Sequence, residues 1–125
     1  MTKTAGLTFL IIMCLASGLS SCTEIIEPSV AKRNVRLLAP ANNYQTNRPE
    51  TSFWFEPVED ALKYRLQVVS PSFDSIGQLV LDTLISNNRF TQSMEPGQYQ
   101  WRVRAENGSS ESPFSQPWGF TIKTN

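Results

Sequence analysis

Residues Gly97 to Asn107 read GQYQWRVRAEN. Their side chains separate by parity. Tyr99, Trp101, Val103 and Ala105 fall on one face, and Gln100, Arg102, Arg104 and Glu106 fall on the other. Alternation of this kind predicts a half-buried strand. It also decides how the aromatic and basic residues are read. A mixed stripe would make Trp101 a stacking platform flanked by a basic grip. Parity instead sends Trp101 toward the core and the arginines to the opposite surface.

Working outward, Glu95-Pro96-Gly97 forms a turn before this strand, and Asn107-Gly108 begins a loop after it. The same period-2 signal recurs in short runs separated by turn residues. The predicted strands are Val35–Leu38, Thr51–Phe55, Lys63–Val69, Leu79–Leu84, a short one within Asn88–Met94, the opening stretch, and Trp118–Lys123. Ser70 to Gln78 reads as a loop. Seven short strands with no capped helical segment predict an all-β sandwich.

Four stretches resemble the fibronectin type III family: FEPVEDALKYRLQV, MEPGQYQWRVRAEN, LLAPANN and FSQPWGFTI. Phe55 stands where the family usually has its core tryptophan, and Met94 where it usually has leucine. The spacing from Met94 to Tyr99 is one residue shorter than in many members. The resemblance covers Val35 to about Ile122. It implies a seven-stranded sandwich with sheets A-B-E and C′-C-F-G, and a tyrosine corner at Tyr99. Loops B–C, C′–E and F–G would gather at one end.

The amino terminus carries an address. Lys3 precedes an apolar run from Ala5 to Leu19, which is shorter than the roughly 20 residues a spanning helix needs. Leu19-Ser20-Ser21-Cys22 resembles the lipobox of bacterial lipoproteins. The resemblance implies cleavage before Cys22 and acylation of that cysteine, with Thr23 favouring the outer membrane; either membrane face stays open. The alternative is an ordinary secretory leader that leaves Cys22 as a free thiol. Residues 1–21 are thus expected to be a leader, 22–34 the lipidated cysteine and a tether, and 35–125 the domain. A twelve-residue tether from Thr23 to Asn34 reaches at most about 40 Å.

Composition narrows the chemistry. The chain of 125 residues has 11 basic and 11 acidic residues, which argues against a dedicated nucleic-acid binder. There is no histidine, and Cys14 and Cys22 are the only cysteines. A serine or cysteine triad built on histidine is excluded within the chain. Glu59-Asp60 is the closest carboxylate pair and lies in a turn. Asp74, Asp82 and Glu56 have no metal-ligand spacing. No enzyme activity, cofactor or metal is expected.

Two surfaces remain as candidate binding sites. Lys63, Arg65, Arg102, Arg104 and Lys123 share the outward parity of one sheet, with Gln67 and Gln100. They form either a basic face for an anionic glycan, a headgroup or an acidic partner, or a solvated face partnered by Glu56, Asp82 or Glu106. Trp54 lies between Phe53 and Phe55 and faces outward if they are core. It is either a glycan platform or an ordinary exposed apolar residue. Asp74-Ser75-Ile76 and Asp82-Thr83-Leu84 each resemble a short bacterial O-glycosylation motif. The leading expectation is a membrane-anchored, non-catalytic binding or adhesion module contacting a glycan or protein. The alternative is a structural subunit or spacer of an envelope complex.

Overall fold

The computed structural model describes residues 26–125. The leader and Cys22 lie outside the described residues. Among the described residues eight strands form: β1 (Leu37–Ala39), β2 (Tyr44–Thr46), β3 (Glu50–Phe55), β4 (Lys63–Pro71), β5 (Ile76–Ile85), β6 (Arg89–Ser93), β7 (Gly97–Glu106) and β8 (Trp118–Ile122). They make two sheets, ordered β1-β3-β6 and β2-β8-β7-β4-β5. Among the described residues no helix is long and apolar enough to cross a membrane.

The core lies between the sheets, and parity builds it. β7 contributes Tyr99, Trp101, Val103 and Ala105, all buried, while its intervening residues are half-buried. β4 contributes Tyr64, Leu66 and Val68, and β3 contributes Thr51, Phe53 and Phe55. Phe53 meets Trp101 edge-on with ring centroids 5.1 Å apart, and Phe55 meets Tyr64 the same way at 4.9 Å. Such pairs add about 0.5–1.5 kcal/mol beyond area burial. Among the described residues the Trp101 indole N–H has no hydrogen-bond partner. The Tyr99 hydroxyl donates to the Glu95 carbonyl at 2.5 Å, which makes the expected corner. Burial first, and the Glu95 charge second, raise its pKa above the usual tyrosine value.

Three expectations about the strands need correction. An eighth strand, β2, joins the larger sheet parallel to β8, where seven strands and a four-stranded sheet were expected. Asn42 and Asn43 put it there. The Asn42 side-chain oxygen accepts from the Gly119 N–H, and the Asn43 N–H donates to the Gly119 carbonyl. Asn43 takes φ 67°, a conformation asparagine tolerates well. Second, Ser70 to Gln78 is not all loop. β4 runs on to Pro71 and β5 starts at Ile76, with register shifts at Val68/Val69 and Ser70/Pro71. Third, the first strand is Leu37–Ala39 rather than Val35–Leu38, although Val35 is buried in the core.

The stretch expected to be a tether is partly held on the domain. Val30 is fully buried, and its N–H donates to Ser110 Oγ at 2.9 Å. The Pro28 carbonyl accepts from the Asn107 amide at 2.7 Å, and Glu27 accepts from the Ser109 hydroxyl at 2.7 Å. Arg33 pairs with Asp60 at 3.5 Å and Glu59 at 4.0 Å. The chain is therefore seated against the β7–β8 loop and the β3–β4 turn well before the first strand.

Candidate functional site

The outer face of the larger sheet gathers most of the predicted basic residues. Cross-strand pairing sets Arg65 opposite Arg104, Gln67 opposite Arg102, and Lys63 opposite Glu106. Lys123 is not among them. It follows Ile122, which pairs with Gly97 at the other end of β7.

The face is not a free basic surface. Arg65 reaches Asp82 at 2.9 Å and Glu106 at 3.5 Å. Arg104 reaches Glu106 at 2.9 Å and Glu111 at 3.2 Å. Three carboxylates thus engage two of the arginines. Glu56 pairs instead with Arg36, away from this cluster. The Asp82 hydrogen bond raises the Arg65 pKa above its usual value, against the opposing effect of burial.

Arg102 is held differently. Its guanidinium lies 4.1 Å from the Phe73 ring centroid and 4.2 Å from that of Phe114, and its Nε donates to Gln67 at 3.0 Å. Arg104 lies 4.8 Å from the same Phe114 ring. Burial first, and the Arg104 charge second, lower the Arg102 pKa. The two phenylalanines come from the β4–β5 turn and the β7–β8 loop, so the arginines pin both segments onto the sheet. Each such cation–ring contact is worth about 0.5–1 kcal/mol at an exposed site. Carboxylates thus hold Arg65 and Arg104, and two aromatic rings and Gln67 hold Arg102.

Trp54 faces outward as parity requires and is 41% exposed. Arg89, its cross-strand partner on β6, sits over its ring at 4.8 Å and covers one stacking face. Ser75 is exposed in the β4–β5 turn, whereas Thr83 is half-buried within β5 opposite Leu66. Among the described residues no group of three or more His, Cys, Asp or Glu could hold a metal ion.

The implied order C′-C-F-G already puts the fourth strand at the edge of the larger sheet; what the sequence reading left undrawn is how long and how exposed that edge is. β5 pairs with β4 on one side and, among the described residues, has no strand on the other. Its ten residues, IGQLVLDTLI, include no proline or basic residue and a single charge, Asp82. Ile76, Leu79 and Leu84 are exposed, Leu79 by 55%. Leu79 lies opposite Val69 and Leu84 opposite Arg65, which places both on the outer face beside the arginines. A ten-residue strand spans about 33 Å. An uncovered edge of this length leaves a row of backbone donors and acceptors open to pairing. The signal was present in the alternating apolar run, but nothing in it marks an edge strand from a central one.

No protein-family model matches the chain, and none of the curated proteins matches its sequence. Solved structures do resemble it. The human fibronectin type III domain derived from KIAA0970 protein superposes with a TM-score of 0.55 at 16% identity, covering 73% of this chain and 74% of that one. The fibronectin type III domain of human fibronectin type III domain containing protein 3 gives 0.52 at 16% identity, covering 78% and 92%. Chicken CNTN1 domains FN1–FN3 give 0.51 at 23% identity; 82% of this chain matches 35% of that longer chain. The chain therefore has a fibronectin type III-like fold.

Proposed function

We propose that the protein is a lipid-anchored, non-catalytic recognition subunit of a bacterial outer membrane. It takes an extended segment of a protein partner as a further strand along β5. The observation that carries this reading is the bare ten-residue edge with Ile76, Leu79 and Leu84 exposed along it. Strand addition draws affinity from main-chain hydrogen bonds and specificity from alternate side chains, so a polypeptide is the ligand such an edge suits. Acylation at Cys22 would supply a stable anchor, at about 0.8 kcal/mol per buried methylene.

Of the readings left open by the sequence, the edge favours a subunit of an envelope assembly over a free glycan binder. The arginines offered for an anionic glycan are engaged by Asp82, Glu106, Glu111 and two phenylalanine rings. The Trp54 ring already carries Arg89.

The test is photocrosslinking in intact cells from position 79 on β5 and position 45 on β2. Crosslinked residue pairs are then located by mass spectrometry. The expected result is one constant partner, joined through position 79 at alternate residues of one extended segment. Equal capture from both positions, or capture only of polysaccharide, would overturn the reading.

A further inference from the structure

We infer that the end of the sandwich formed by the β3–β4, β5–β6 and β7–β8 connections rests on the lipid surface that anchors Cys22. This rests on the acylation of Cys22 proposed above. The first argument is reach. The chain is fixed to the domain from Glu27, through its contact with Ser109 and those of Pro28 and Val30 with Asn107 and Ser110. Five peptide steps separate Cys22 from Glu27, which is about 18 Å when fully extended. β7 alone, at ten residues, is about 33 Å long. The anchored end is thus held at the membrane, and the opposite end stands off in water.

The second argument is what that end exposes. Ile26 is 85% exposed and directly precedes the fixed segment. Leu62, 60% exposed, and Leu84 line a shallow hollow of about 340 Å³ with Lys63, Asn107 and Gly108. Glu27 approaches the same Gly108, so Ile26 and the two leucines share one end. Lys32 and Lys63 are exposed there. Of the nearby carboxylates, Asp60 and Glu59 meet Arg33, Glu106 meets Arg65 and Arg104, Glu111 meets Arg104, and Glu27 accepts from the Ser109 hydroxyl. Apolar side chains beside long lysines suit the boundary between headgroups and acyl chains.

The consequence for the proposed edge is geometric. β5 runs from Ile76 at the distal end to Ile85 at the membrane end. A partner strand would lie along the membrane normal, with Leu84 near the lipid and Ile76 away from it.

The test uses the acylated protein extracted from membranes and returned to vesicles of phosphatidylethanolamine and phosphatidylglycerol. Single cysteines are placed at the near end (Leu62→Cys) or the far end (Ser72→Cys) and carry a spin label. Accessibility to oxygen is compared with that to a water-soluble nickel chelate. The expected result is an oxygen preference several-fold higher at 62 than at 72. In a Val30→Asp background, which unseats the fixed segment, that contrast should shrink. Equal accessibility at both labels in acylated protein overturns the inference and leaves the anchor standing. A contrast that survives Val30→Asp unchanged also overturns it, because docking then plays no part. If mass spectrometry finds Cys22 unmodified and the protein does not float with vesicles, the anchor and the inference fall together.

Discussion

The larger sheet ends in two edges made in different ways. β2 is three residues long, lies parallel to β8, and is followed closely by Arg48 and Pro49. β5 is ten residues long, antiparallel to β4, and carries one charge. Short strands, basic residues and prolines are the usual means of keeping an edge from pairing with another chain. The β2 edge has all three at hand. The β5 edge has register shifts near its start and Asp82 near its middle, and the rest is open. One sheet is therefore closed on one side and left available on the other.

The largest expected effect removes the scaffold both edges hang from. Trp101→Ala should cost about 3–5 kcal/mol, read from urea unfolding. A cost below about 1 kcal/mol would mean that β7 is not the centre of the core.

The next prediction acts on β5 alone. Leu79→Lys with Leu84→Lys should leave stability within about 0.5 kcal/mol per site, since both side chains are exposed. It should cut partner capture at least tenfold, equivalent to about 1.4 kcal/mol. Tyr44→Lys on β2 should leave capture unchanged. Similar losses from both edges would erase the distinction between them.

A smaller effect belongs to the β2 side. Tyr99 stacks on Phe120, which pairs with Tyr44. Tyr99→Phe removes the hydrogen bond to Glu95 and should cost about 1 kcal/mol. The pH dependence follows from the raised tyrosine pKa. The folded state favours the neutral hydroxyl, so this stability is fully present below the unfolded value of about 10. It is lost as pH rises through the higher folded value. Urea midpoints across the alkaline range should fall less steeply in Tyr99→Phe than in the parent.

A modest change in stability is expected at Asp82. Asp82→Asn breaks a partly exposed ion pair with Arg65, worth about 1 kcal/mol or less. It also removes the one charge on the free edge, so sedimentation should show more self-association than in the parent. A fully monomeric variant would show that Asp82 does not guard the edge.

The inward half of the fold was legible because parity is a local property. Tyr99, Trp101, Val103 and Ala105, and the outward turn of Trp54, follow from alternation alone. The features that escaped depend on partners far along the chain. β2 has three residues, too few to show a period, and is set by bonds from Asn42 and Asn43 to Gly119. The docking of residues 27–30 rests on one buried side chain, Val30, on the Glu27 carboxylate and on the backbone of Pro28 and Val30, too few residues to show a period. The arginines of the candidate face were placed correctly, yet their enclosure depends on Phe73 and Phe114 folding back from two loops. The place of β5 at an edge follows the implied order C′-C-F-G, but its length did not, because Ile76 to Gln78 read as loop.

Amide hydrogen exchange on β5 tests the central claim most directly, comparing purified protein with intact envelope vesicles. The alternate β5 amides that β4 leaves free should be protected at least tenfold in the envelope, about 1.4 kcal/mol. The β2 amides should be unchanged. Identical β5 exchange in the two preparations would contradict the account, because no strand would then be paired along that edge.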